Sequence, residues 1–165
     1  MVYGEDVKFY MKPKQQNAPL IILLAEDDKD DRFFFEKALK EIPIATHLKT
    51  VKDGEELMDF LTKNSEHLPD ILFLDLSMPR KTGFECLSEI KENIKLKDIP
   101  VVVFSTSYSR DNIYERGLAN MLCEIGAHNY IRKPGDFAQL KKIIHLSLTK
   151  VIEKSSSQDI ENKNL

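Results

Sequence analysis

The chain has 165 residues, of which 42% are hydrophobic and 31% charged, and a net charge of -3. That length suits one domain with a sizeable core, and acids and bases are interspersed, so no basic field marks a nucleic-acid binder. The first eighteen residues carry charges and a proline, and the apolar run from Pro19 to Ala25 is far too short to span a bilayer, so the expectation is a cytoplasmic chain off the membrane.

Residues 1–18 are polar and aperiodic and are expected to form a flexible arm. Leu20 to Ala25 is a continuous apolar run, the pattern of a buried strand. Asp30 to Ile42 follows at helical spacing, with Phe34 or Phe35, Ala38, Leu39 and Ile42 on one face and Pro43 as the stop. Thr46 to Val51 predicts a short strand, and Glu55 to Lys63 a helix with Leu57, Phe60 and Leu61 inward. Ile71 to Leu74 predicts a third strand. Phe84, Leu87, Ile90 and Ile94 predict a helix over about 84–94. Val101 to Phe104 predicts a fourth strand. A long helical stretch over 109–125 places Tyr114, Leu118, Met121, Leu122 and Ile125 on one stripe, with Gly117 as a point of weakness and Gly126 as its end. His128 to Ile131 predicts a fifth strand. Asp136 caps a last helix with Phe137, Leu140, Ile144, Leu148 and Val151 inward. The serine-rich, charged segment 153–165 is expected to be disordered. Strands alternating with helices favour a parallel sheet with helices on both faces.

Three apolar runs end in polar groups. The first enters Glu26-Asp27-Asp28, the third ends at Asp75, and the fourth enters Ser105-Thr106. A carboxylate at the mouth of a buried strand is costly unless it has a partner or a role. Parallel strands would gather these carboxylates and hydroxyls at one sheet edge, a composition suited to a divalent cation and a phosphoryl group. Cys86 and Cys123 lack metal-ligand spacing and fit a reducing compartment. The four histidines show no paired spacing.

Leu24-Ala25-Glu26-Asp27-Asp28, Asp75-Leu76-Ser77-Met78-Pro79, Phe104-Ser105-Thr106 and Tyr130-Ile131-Arg132-Lys133-Pro134 occur in the order of a two-component response-regulator receiver domain, which the chain resembles over roughly residues 19–150, with the domain expected to span 19–152. A finer likeness is to stand-alone receivers of the phytochrome-associated type. The resemblance implies a flavodoxin-like α/β fold with a five-stranded parallel sheet in the order 2-1-3-4-5. It makes Asp75 the phosphoacceptor, attacking a phosphohistidine in line. Asp27, Asp28, Asp75 and the backbone carbonyl of Ser77 would hold Mg2+, with Glu26 a bystander and Asp30 and Asp31 outside the site. Lys133 would pair with the acceptor and then the phosphoryl group, across a cis bond to Pro134. Ser105 would donate its hydroxyl to that group, Tyr130 would turn inward as a switch, and Thr106 would screen attacking water. The implied partners are a sensor histidine kinase or phosphotransfer protein and a second copy in a homodimer. No effector domain is expected after the last helix, so output would pass through protein contacts.

An aspartate-nucleophile phosphohydrolase of the haloacid-dehalogenase type is an alternative. It needs a second acid two residues beyond the nucleophile, where Ser77 stands. A receiver-like binding module that works without phosphorylation is the other. On the leading reading the chain is not an enzyme, although it assists its own phosphorylation and dephosphorylation.

Overall fold

The computed structural model describes residues 18–106 and 111–161, with side chains described through residue 158. Strands and helices alternate along the chain: β1 (Leu20–Ala25), α1 (Lys29–Glu41), β2 (Thr46–Val51), α2 (Gly54–Lys63), β3 (Ile71–Leu74), α3 (Gly83–Glu92), β4 (Val101–Ser105), α4 (Asn112–Ile125), β5 (Asn129–Arg132) and α5 (Phe137–Glu161). All strand pairs are parallel, in the order β2-β1-β3-β4-β5. This is the order the resemblance implies.

Strand side chains alternate between two apolar layers. Leu23, Ala25, Leu72, Leu74, Val101 and Val103 pack with Leu57, Leu61, Leu87, Ile90 and Leu122 of α2, α3 and α4. Ile22, Leu24, Ile71, Phe73, Val102 and Phe104 pack on the other face with Phe35, Ala38 and Leu39 of α1 and Ile144, Leu148 and Val151 of α5. The central strands are therefore buried on both faces, which is why they read as unbroken apolar runs. Of the three successive phenylalanines only Phe35 enters the core, with its ring centroid 4.9 Å from Phe73 and 6.1 Å from Phe104. Burying one such ring is worth about 3 kcal/mol. Phe33 and Phe34 stay exposed, because residues adjacent along a helix lie about 100° apart around it.

Several expectations need correction. The segment expected to be disordered from residue 153 continues α5 to Glu161. It contains no glycine or proline to break the helix, and the hydroxyls of Ser155, Ser156 and Ser157 donate to the carbonyls four residues back. Residues 1–17 and 162–165, within the expected arm and tail, lie outside the described residues. Ile94 falls beyond the end of α3 and is exposed, and Tyr114 and Met121 face outward from α4. Gly117 does not interrupt α4, since hydrogen bonding and the packing of Leu122 carry the helix across it. Residues 107–110, at the expected start of that helix, lie outside the described residues. No cis peptide bond occurs among the described residues, so Lys133–Pro134 is trans, the isomer an X–Pro bond prefers by about 0.5–1 kcal/mol. Asp136 does cap α5, accepting from the Ala138 and Gln139 amides at 2.7 and 3.4 Å.

Candidate functional site at the carboxyl edge of the sheet

The parallel register brings the ends of β1, β3, β4 and β5 to one edge. Asp75 follows β3 directly, and its amide donates to the Ala25 carbonyl at 3.0 Å. Glu26 continues β1 with its amide on the Val51 carbonyl at 3.0 Å, and Lys133 continues β5 with its amide on the Ser105 carbonyl at 2.9 Å. The backbone ladder therefore fixes these residues before their side chains meet. Gly83 closes the loop after Asp75. A Cβ there would lie 2.2 Å from the Asp75 carbonyl oxygen, so only glycine permits that approach.

Asp75 is buried, 5% exposed. Its Oδ1 accepts from Ser105 Oγ at 3.2 Å and from the Ser77 amide at 3.4 Å. Its Oδ2 lies 3.7 Å from Lys133 Nζ. Burial pushes the Asp75 carboxyl above its ordinary range; Lys133, Ser77 and Ser105 pull the other way, and the charge of Asp27 adds to the rise. Glu26 is more deeply buried, and burial pushes it up to about 7 against the hydrogen bond and charge of Lys133. Its Oε2 pairs with Lys133 Nζ, and its Oε1 accepts from the Asp28 amide at 3.0 Å. Burial works against charge on Lys133. The hydrogen bond and charge of Glu26, the hydrogen bond to Asp31 and the charge of Asp75 together outweigh it, so the ammonium is held above its usual value.

Oxygens of Glu26, Asp27 and Asp75 all lie within 4.8 Å of one another. Two unit charges at that distance repel by about 3–4 kcal/mol at an effective dielectric of about 20. One lysine cannot offset three such pairs, and a set of hard oxygen donors at this spacing suits a divalent cation such as Mg2+ or Mn2+.

The expected acid pair is displaced by one residue. Asp28 is the N-cap of α1, and its Oδ1 accepts from the Asp30 and Asp31 amides at 2.8 and 2.9 Å. The hydrogen bond from Asp31, with that from Asp30, holds its carboxyl below the usual range although desolvation opposes them. Its charge is thus committed to the helix end, and Glu26, expected to be a bystander, takes the inner place. Arg32 fixes this turn, with Nη1 donating to the Glu26 and Asp27 carbonyls, each at 2.8 Å.

Asp31 also belongs here, contrary to expectation, with its Oδ2 2.9 Å from Lys133 Nζ. The helix-capping pattern at Asp28 was a readable sign that its side chain is occupied; nothing in sequence spacing links Asp31 to Lys133. Thr106 lies just past β4 and is exposed. Tyr130 is half-buried, packs beside the α2–α4 layer and borders a surface cavity of about 390 Å³ with Asn112, Glu115, Arg116 and Ala119. Burial first, and then the charge of Glu115, raise its phenol above the usual value.

Residues 22–145 match the family described as the response regulator receiver domain. The chain is 35% identical to response regulator Rcp1 of Synechocystis over 134 residues, covering 79% of this chain and 87% of that protein. It is 33% identical to a probable methanogenesis regulatory protein, FilR2, of Methanothrix harundinacea, covering 87% and 89%. Among solved structures it is similar to the Mn2+-bound form of Rcp1, at 34% identity and a TM-score of 0.65 over 77% of this chain and 90% of that one. It is equally similar in fold to the phosphorylated cyanobacterial phytochrome response regulator RcpA, at 36% identity and a TM-score of 0.65 over 78% and 90%. The strand order, the buried acid at the end of β3 and these matches agree: the chain belongs to the response regulator receiver domain family of two-component systems.

Proposed function

We propose that this chain is a response regulator whose Asp75 accepts a phosphoryl group from the phosphohistidine of a sensor kinase or phosphotransfer protein. The observation that carries this reading is the meeting of Asp75 with Ser105 Oγ at 3.2 Å, Lys133 Nζ at 3.7 Å and two further carboxylates. An Asp75 carboxylate oxygen attacks phosphorus in line as the phosphorus–nitrogen bond breaks, and the imidazole leaves with its electron pair and takes a proton. Ser105 Oγ and Lys133 Nζ then turn to phosphoryl oxygens. Glu26, Asp27, Asp75 and the backbone carbonyl of Ser77 would hold Mg2+, which when bound neutralises charge on the phosphoryl oxygens. Receivers are typically signalling domains rather than catalysts, and phosphorylation here would act through protein contacts. Tyr130 is the proposed switch, and the exposed Ile113, Tyr114 and Met121 of α4 support a second copy as one such contact. Among the described residues no helix is long and apolar enough to cross a membrane.

Incubation with acetyl phosphate and Mg2+, read by intact mass, should add one phosphoryl group that Asp75→Asn does not acquire. An adduct retained in that variant, or none on the parent chain, overturns the reading. Steady turnover of small phosphate esters would favour a phosphohydrolase instead. Thr106→Gly, by removing the exposed branched side chain just past β4, should shorten the lifetime of the adduct; an unchanged rate of loss would rule out screening by Thr106.

A further inference from the structure

The Lys133 ammonium has three hydrogens to give. Its hydrogen-bonded acceptors are Glu26 Oε2 and Asp31 Oδ2, whereas Asp75 Oδ2, at 3.7 Å, lies beyond hydrogen-bond range. The lysine is thus held chiefly by acids of the β1–α1 segment rather than by the acceptor. Asp31 is well placed to pull outward. Its side chain is 44% exposed, against 3% for Glu26 and 7% for Asp75, so it meets the ammonium from the solvent side. Its backbone is fixed by the bond from its amide to Asp28 Oδ1, and the turn before it by Arg32.

We propose that Asp31 is a positioning residue that holds the Lys133 ammonium off Asp75 and so weakens its grip on a phosphoryl group there. This rests on the phosphoacceptor reading. A phosphoryl group on Asp75 presents new anionic oxygens on the inner side of the ammonium. Each hydrogen bond kept by Asp31 is one withheld from them. Removing Asp31 frees the lysine to move inward.

Binding of beryllium fluoride with Mg2+, a non-transferring phosphoryl mimic, tests this at equilibrium. Asp31→Ala should tighten binding about three- to fivefold, the scale of a half-exposed ion pair, and Asp31→Glu, which keeps the carboxylate, should stay near the parent chain. In a Lys133→Met background the Asp31→Ala effect should vanish. Tightening that persists there would mean that Asp31 acts by charge alone, and unchanged or weaker binding in the single variant would equally overturn the proposal. A second readout needs neither mimic nor metal: the ammonium resonance of Lys133 in isotopically labelled protein should shift in Asp31→Ala, and an unmoved resonance overturns the proposal even if Lys133→Met binds no mimic. A parent chain that binds no mimic and takes no phosphoryl group defeats the functional reading, while the resonance still reports on Asp31.

Discussion

Two partly buried lysines serve opposite ends of the sheet. Lys133, at the carboxyl end, faces Glu26, Asp31 and Asp75. Lys91, on α3 at the amino end, donates to the Lys97 and Ile99 carbonyls at 2.9 and 2.8 Å. It borders a groove of about 740 Å³ whose lining includes Asp70, Pro100 and His128, just ahead of β3, β4 and β5. The partners decide what each lysine does. Neutral carbonyls need only hydrogens, so burial lowers Lys91 from its usual value, with Asp98 opposing. Carboxylates need charge, so Lys133 rises despite burial. Lys91 is a fastener for the loop entering β4, whereas Lys133 is the counter-charge of a site with more negative charge than it can offset.

Removing each lysine is the strongest way to break that contrast. Lys133→Met leaves Glu26 and Asp75 buried beside Asp27 without their cation, and should cost about 3 kcal/mol of stability. Lys91→Met leaves two carbonyls short of a donor and should cost about 1–2 kcal/mol. Urea unfolding with and without Mg2+ separates them further. Mg2+ should recover part of the loss at Lys133 and none at Lys91. Equal costs, or rescue at Lys91, would show that the two ends do not differ in kind.

Two glycines press on the same two places. At Gly83 an added methyl would meet the Asp75 carbonyl oxygen at 2.2 Å; at Gly126, where φ is 124°, it would meet Lys91 Cγ at 2.9 Å. Gly83→Ala must displace backbone and should cost about 1–3 kcal/mol. Gly126→Ala strains the left-handed residue that ends α4 and should cost about 1–2 kcal/mol, although the Lys91 side chain can move aside. Both should lower the urea midpoint, but only Gly83→Ala should slow phosphoryl uptake from acetyl phosphate. Slowing of similar size in Gly126→Ala would tie the far end of the sheet to the site.

The fold was legible because its central strands are buried on both faces and end abruptly in polar residues. Leu20–Ala25, Ile71–Leu74 and the run from Val101 could hardly be read otherwise. Of the candidate site, the convergence of Asp75, Ser105 and Lys133 at one sheet edge was legible, because the backbone ladder fixes their places. It was not legible within Glu26-Asp27-Asp28, because three successive acids have similar chemistry and which of them points inward depends on where β1 stops and α1 is capped. Asp31 meets a lysine 102 residues away, a proximity that only folding creates. The tail was misread because serine and charge suggest disorder by composition, while an existing helix needs only the absence of a breaker to continue.

The alkaline limb of stability sharpens the contrast with a smaller effect. Lys91, lowered in the folded chain, binds fewer protons there than when unfolded. Its contribution therefore rises with pH across the interval ending at its usual value of 10.5. The neutral amine keeps two hydrogens for its two carbonyls, so the fastening survives. Lys133, raised in the folded chain, has the opposite sign. Its contribution is complete below 10.5 and is lost as pH climbs through the folded value. Relative to the parent chain, Lys91→Met should look worse at pH 10.5 than at pH 9. Over the same window, which lies at or below 10.5, the penalty of Lys133→Met should stay nearly constant. A Lys91→Met penalty that does not grow would mean that Lys91 is not lowered.

The smallest effect concerns the cysteines, which offer a probe that leaves the fold intact. Cys123 is exposed on α4 and borders the amino-end groove. Cys86 is buried on α3 with Sγ 3.6 Å from the Gly54 carbonyl, and burial pushes its thiol up to about 11. Only the thiolate alkylates readily, so iodoacetamide at pH 8 should label Cys123 quickly and Cys86 only when the chain opens. Cys86 labelling then follows the population of opened molecules. If loss of Lys133 destabilises the whole domain while loss of Lys91 loosens one loop, Lys133→Met should accelerate Cys86 labelling by more than Lys91→Met, and Mg2+ should slow it only in the former. Rapid labelling of Cys86 in the parent chain would contradict its burial, and equal acceleration by the two variants would mean that the two ends of the sheet open together.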